Sequence, residues 1–253
     1  MKTSSYTHSP SIPAEDVEKN VTAFIGREER DPQELKQVSP IEIPEFGPQQ
    51  TITLLSHLYT PEECINILEK VPGKDGNLKK KKFSRGETFT QHSWIALINK
   101  IDWSVPEDPS TASHEVLFTI NPITKVPKYE GRYCRDADCT GHRYLLAECD
   151  GLRVRRQAAL LMGFPLPIKA IISSGGRSLH AILEINAEGP KSYSYIAKSL
   201  MLMLKFIGFD HSCSNPSRKS RLPGFTREDP DTKEVRPQEL LYLNPNPEMK
   251  PIL

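Results

Sequence analysis

The chain is 253 residues long, with 33 Lys and Arg against 32 Asp and Glu, 37% hydrophobic residues and 26% charged ones. That is one good-sized domain, or a domain with an arm. The near-zero net charge excludes a polybasic protein that holds nucleic acid by bulk electrostatics, but not an enzyme whose basic residues gather in one groove. No apolar run approaches the roughly 18 residues that would span a bilayer. Met1–Ser5 leads toward Pro and Glu rather than an apolar segment, so neither a secretory signal nor a membrane partner is expected. The five cysteines are an odd number, and they suit a reduced, cytoplasmic setting better than a disulfide framework.

Residues 1–50, with six prolines and few aromatics, read as an N-terminal arm or linker, partly disordered, with one short helix near Glu15–Phe24. Residues 51–253 read as the folded domain. Thr60-Pro61-Glu62-Glu63 has the form of a capped helix start, and Cys64, Ile67, Leu68 and Val71 follow at helical spacing, so a helix is predicted up to Gly73. Lys79–Lys82, Phe83 and Arg85 form a basic run that fits a solvated loop or a loop contacting phosphates. Trp94, Ile95, Leu97, Ile98 and Trp103 belong to a mixed apolar segment.

The second half is more regular. Strands are predicted at Val116–Ile120, ended by Asn121-Pro122, and at Tyr144–Asp150, closed by Gly151. Leu152–Met162 reads as a helix with Gly163 just past its end. Ile168–Ile172 and Ser178–Ile185 read as a hairpin about Ser173–Arg177. Gly189-Pro190 opens a helix with Ile196, Leu200, Met203, Leu204 and Ile207 on one face, and Gly208 stops it. Glu239–Leu243 is the last strand, before Asn244-Pro245. Hairpins mixed with helices indicate α+β rather than a doubly wound sheet.

Three segments carry candidate chemistry. Glu148 and Asp150 are two apart at the end of an apolar strand, so both point to one face, roughly 6–7 Å apart. Such a pair suits a hard divalent cation, and it equally suits two surface acids at a strand end. Ser178 and His180 share the polar face of a strand whose other face is Leu179, Ala181, Leu183 and Ile185. The preceding Gly175-Gly176 turn can bring backbone N–H groups to an anion, and the same hairpin fits a solvent-facing histidine. Asp210 follows a helix stop, and Arg218, Lys219 and Arg221 crowd the Ser, Pro and Gly loop after it, either as phosphate contacts or as an exposed basic loop. Three acids, one histidine, a glycine turn and an arginine cluster within about 75 residues match the inventory of two-metal phosphoryl transfer.

The order of these motifs resembles the archaeo-eukaryotic primase superfamily, and most closely its primase-polymerase branch in phages, plasmids and mobile elements. Glu148-x-Asp150, then Ser178-x-His180 after the Gly-Gly turn, then Asp210 after an apolar helix match its three motifs. Phe118–Pro122, Asn215–Gly224 and Leu240–Pro245 resemble the text around them, so the likeness covers about residues 115–246. The resemblance implies an RRM-like catalytic core with a smaller α/β module packed against it, forming a cleft. It implies a DNA primase or polymerase that performs template-directed nucleotidyl transfer on single-stranded DNA with Mg²⁺ or Mn²⁺ and NTP or dNTP substrates, with or without a separate helicase. Glu148, Asp150 and Asp210 would hold the metals. Ser178, His180, Arg218, Lys219 and Arg221 would meet the nucleotide or template. The alternative is a non-catalytic replication-initiation module that holds single-stranded DNA on the same fold. Cys134, Cys139 and His142 have a spacing that fits either a structural Zn²⁺ site or a plain loop with reduced thiols.

Overall fold

Two five-stranded sheets, in which every described strand pair is antiparallel, pack against a common apolar layer. The computed structural model describes residues 12–71, 82–83, 87–100, 115–125, 134–229 and 232–253. Lys79–Lys81, Ser84, Arg85 and Trp103 lie outside those residues.

The first sheet has the order β2-β1-β4-β8, with β3 also pairing β1. Its strands are β1 (Cys64–Val71), β2 (Lys82–Phe83), β3 (Glu87–Thr90), β4 (Val116–Thr119) and β8 (Lys219–Arg221). The second sheet has the order β5-β7-β6-β10-β9. Its strands are β5 (Tyr144–Glu148), β6 (Ile168–Ser173), β7 (Leu179–Glu184), β9 (Phe225–Glu228) and β10 (Val235–Leu243). The mixed, antiparallel organisation is α+β, as the sequence predicts.

Strand alternation sorts the second sheet into two layers. Leu145, Ala147, Leu179, Ala181 and Leu183 face the helices α1 (Ala14–Ile25), α5 (Val154–Gly163) and α6 (Pro190–Leu204). Tyr144, Leu146, Ile172, Ile182 and Leu240 face the other way, onto Ile65 and Phe118 of the first sheet, Leu54, Leu55 and Leu58 of α3 (Pro48–Leu58) and Ile98 of α4 (Gln91–Ile98). Glu148 and His180 share this second face and are directly paired across β5 and β7. They sit where the apolar layer between the sheets ends.

Three expectations need correction. Cys64–Val71 is strand, not helix. The capping signal at Thr60 does form a turn, with the Glu63 carboxylate accepting from the Thr60 N–H at 2.9 Å. The i, i+3, i+4 stripe is outvoted by the β-branched Ile65, Ile67 and Val71 and by ladders to both β3 and β4. Residues 12–50 are not a free arm. α1 buries Val17 and Val21, α2 (Glu34–Gln37) buries Leu35, and Ser39 Oγ accepts from the Leu243 N–H at 3.0 Å. Val17, Val21 and Leu35 seat the segment although Phe24 and Phe46 stay exposed. Two of the prolines, Pro13 and Pro48, mark helix starts rather than a linker.

The buried face of α6 is also rotated from the predicted one: it consists of Tyr193, Ala197, Met201 and Leu204, and Met203 is exposed. Large apolar residues lie on both sides of this helix, so periodicity alone did not choose. The small Ala197, which permits close approach to the sheet, and the Tyr193 hydroxyl, which donates to the Tyr144 carbonyl at 3.2 Å, make the choice.

Candidate active site

A cleft of about 780 Å³ opens between the two sheets. One wall is the first sheet, with Leu68, Leu117, Lys219 and Arg221; the other is the end of β5, the β6–β7 turn and β9. Nearly every sequence-predicted site residue lines it: Glu148, Asp150, Ser178, His180, Arg218, Lys219 and Arg221. Arg177 and Arg227 join them, so five basic side chains stand against the acids Glu148, Asp150 and Asp229.

Asp210 is brought beside Glu148 by backbone as well as side chain. α6 continues as a tight turn over Lys205–Ile207, and Gly208 in a left-handed conformation (φ 90°) ends it. The Asp210 N–H then donates to the Glu148 carbonyl at 2.8 Å. The Asp210 carboxylate caps the next turn, accepting from the Ser212 N–H at 2.9 Å and the Ser212 hydroxyl at 2.6 Å. Burial pushes this carboxyl up, but the Ser212 bonds and the Arg218 charge outweigh it and hold it below the usual range. Glu148 Oε1, Asp210 and Cys213 Sγ offer ligand atoms within 4.8 Å of one another.

Asp150 stands apart from that trio. β5 ends at Glu148, so the predicted alternation does not extend to Asp150, which lies exposed in the following turn on the cleft lining.

His180 is buried, and both of its ring nitrogens are engaged within the protein. Nε2 lies 3.1 Å from Glu148 Oε2, and Nδ1 lies 3.1 Å from Ser220 Oγ. Burial, then the charges of Arg221, Arg218 and Arg227, push the imidazole down to about 3, so it is neutral near pH 7. A carboxylate can only accept, so the single N–H sits on Nε2 and donates to Glu148, while Nδ1 accepts from the Ser220 hydroxyl. Ser178 Oγ lies 3.3 Å from Ser174 Oγ, inside the turn.

The basic side chains are anchored too. Arg221 pairs with Glu115, and Arg218 Nη2 donates to Glu148 Oε1 at 3.1 Å. Lys219 lines the cleft, and burial pulls its ammonium below the usual lysine value. Arg227 approaches the β6–β7 turn closely, since a Cβ on Gly176 would lie 2.5 Å from its Nη1. The sequence offered no signal for Arg227 or Arg177 as cleft residues: one comes from a strand beyond the motifs, the other was read as turn.

The ligand atoms of Cys134, Cys139 and His142 do not converge as a group. Among the described residues, ligand atoms converge only at Glu148, Asp210 and Cys213. Cys134 and Cys139 instead pack with Cys64 around Ile123, and the His142 ring lies edge-on to Tyr193. Burial, then the Asp136 charge, push the Cys139 thiol up to about 12.

A metal ion fits the donor set at Glu148 and Asp210: two carboxylates, adjacent through the backbone and bordered by cations that would accept phosphate charge. The described residues include no helix long and apolar enough to cross a membrane.

No protein-family model matches the chain, and no curated protein matches it. The fold is similar to three solved structures. The primase-polymerase domain of cyanophage S-2L is 20% identical, over 76% of this chain and 89% of that one, with a TM-score of 0.45. The catalytic domain of primase RepB′, solved in complex with initiator DNA, is 11% identical over 79% and 88%, with a TM-score of 0.49. A second structure of primase RepB′ is 12% identical over 79% and 58%, with a TM-score of 0.48. Likeness at this level carries no argument about activity; the side chains of the cleft do.

Proposed function

We propose that the chain is a metal-dependent nucleotidyltransferase, a DNA primase or polymerase that extends a strand on a single-stranded DNA template. The observation that carries this reading is the joining of Asp210 to Glu148, which lines a cleft whose walls hold Arg177, Arg218, Lys219, Arg221 and Arg227. A pure DNA-binding groove gains nothing from carboxylates aimed at phosphates, and Coulomb repulsion would oppose it.

Glu148 and Asp210 would hold the cation, with Asp150 at the cleft rim as a further carboxylate for a second one. The chemistry that a divalent ion would supply there is a lowered pKa for an attacking 3′-hydroxyl and an offset to the charge on the leaving pyrophosphate. The chain's own groups do the rest. His180 holds the Glu148 carboxylate in place through its Nε2–H, and Ser220 fixes the imidazole from behind. This assigns His180 an orienting part in place of the direct nucleotide contact implied by resemblance. Arg218, Arg221 and Lys219 on one wall, with Arg227 and Arg177 on the other, would take the triphosphate and template charge, and Ser178 closes the glycine turn between them. Bidentate guanidinium contacts suit phosphate geometry.

Asp210→Asn tests the reading. It should abolish primer extension of a labelled deoxynucleotide or ribonucleotide in Mg²⁺ or Mn²⁺ while leaving single-stranded DNA binding intact or tighter. Extension that survives the change refutes the assignment. A protein that binds DNA and extends nothing under any ion is the non-catalytic module instead.

A further inference from the structure

Beside the two carboxylates stands a thiol that the proposed chemistry does not require. Cys213 Sγ lies 3.0 Å from Glu148 Oε1 and 3.7 Å from Asp210 Oδ2, and the residue is fully buried. A cysteine packed only for volume has no need to aim its sulfur at two carboxylates. The tight turn His211–Cys213, capped by Asp210 itself, sets that direction.

One cationic nitrogen occupies the middle of this group. Arg218 Nη2 is 3.1 Å from Glu148 Oε1, 3.6 Å from Asp210 Oδ2 and 3.0 Å from Cys213 Sγ. A single positive atom thus touches every ligand atom of the trio. A guanidinium cannot satisfy three acceptor atoms converging from different directions as a compact ion can, because its charge is spread over a plane. Arg218 also lines the cleft, so its head has somewhere to go.

We propose that Cys213 is a third protein ligand of the cation held by Glu148 and Asp210, and that Arg218 is the placeholder which that cation displaces. This rests on the reading of the cleft as a metal site. Sulfur–metal bond formation releases the S–H proton to water, and the guanidinium turns outward toward the phosphate-binding walls. Loading of the ion and presentation of Arg218 to a triphosphate are then one event. The mixed oxygen and sulfur donor set selects Mn²⁺, Co²⁺ or Zn²⁺ over Mg²⁺, which takes oxygen ligands.

The test is titration of the full chain with Co²⁺ alone, read as the near-ultraviolet sulfur-to-cobalt charge-transfer band. The unmodified protein should develop the band, and Cys213→Ser should lose it. Arg218→Gln should develop it at a Co²⁺ midpoint about tenfold lower or better, since a hydrogen bond to a charged group no longer competes. A band that persists in Cys213→Ser, or bound Co²⁺ with no sulfur band in the unmodified chain, overturns the ligand. An unchanged midpoint in Arg218→Gln overturns the placeholder. If Cys213→Ser does not fold, ¹¹³Cd NMR of the unmodified chain decides: a sulfur-shifted resonance supports the site, and an all-oxygen one removes it. Extension is scored separately. Extension without a sulfur band sinks this inference alone, and a band without extension in any ion sinks the nucleotidyltransferase reading alone.

Discussion

Replacing Asn121 by Ala should cost far more stability than its position just after a strand suggests. The side chain is fully buried and makes four hydrogen bonds. Its Oδ1 accepts from the Arg143 and Tyr144 N–H groups, each at 2.9 Å, and its Nδ2 donates to the Tyr144 carbonyl at 2.8 Å and the Pro216 carbonyl at 3.1 Å. It therefore joins the end of β4 to the outer edge of β5 and to the loop that leads into Arg218. The Tyr144 carbonyl keeps a partner in the Tyr193 hydroxyl. The two N–H groups lose the acceptor that Asn121 supplies. An unsatisfied buried donor costs about 1–3 kcal/mol, so two of them, with partial relaxation, predict a loss of about 4 kcal/mol. That is a large share of a typical stability of about 5–15 kcal/mol. Urea unfolding followed by circular dichroism reads it as a lower midpoint at unchanged slope. Asn215→Ala is the control. That side chain is only part-buried and bonds Asp136 and Ser217, so about 0.5 kcal/mol or less is expected. A loss below about 1 kcal/mol in Asn121→Ala would show that those N–H groups find other partners and that the junction is not held as described.

Glu63 should carry part of the acid sensitivity of the fold. Burial pushes its carboxyl up, but the two-pronged hydrogen bond from Arg143, at 2.7 and 2.8 Å, outweighs it and holds the group below the usual range. A depressed folded value means that the unfolded chain takes up the proton first, so this stabilisation is complete above about pH 4.3 and is lost as pH falls through the folded value. Glu63→Gln should thus be less stable than the parent at pH 7, and the two urea midpoints should converge between pH 5 and 3; parallel curves would refute it. Gly208→Ala should destabilise by roughly 2 kcal/mol or more, since the backbone is left-handed there and a Cβ would lie 2.6 Å from Val17 Cγ1 and 3.0 Å from Cys149 Sγ. Thermal melting checks this, and an unchanged Tm contradicts it.

What the sequence made legible followed from short-range signals that agree with the packing. β5, β6 and β10 are short apolar runs and β7 alternates, each flanked by Gly, Asn or Pro, and all lie within a few residues of the expected places. The cleft residues near 148 and 178–180 became readable because strand alternation fixes which face a side chain takes; Arg218, Lys219 and Arg221 stood out by their crowding in an expected loop, where the structure forms β8 instead. What failed needed tertiary contacts. The helical stripe at Cys64–Val71 and the rotated face of α6 are both cases where the apolar pattern fits two orientations and partners chose. Cys134 and Cys139, with His142, have the spacing of a metal site, but the two cysteines pack with Cys64 around Ile123, and spacing says nothing of whether sulfurs pack as apolar groups.

The two sides of the cleft have different structural origins, and that separates their failure modes. The acids depend on the helical layer: Gly208 turns the chain so that Asp210 can bond the Glu148 backbone, and Val17 of α1, from the segment read as an arm, packs against that turn. Much of the basic wall depends on the two sheets. Arg221 and Lys219 stand on β8, which pairs β4, and Arg227 stands on β9, which pairs β10. His180 joins the two, with Glu148 on one nitrogen and Ser220 of β8 on the other. A disturbance of α1 or of the end of α6 should therefore weaken cation binding while leaving DNA affinity nearly intact, and one at β8 or β9 should do the reverse. At His180 a single substitution should move both, because that side chain bonds Glu148 on one nitrogen and the basic strand on the other.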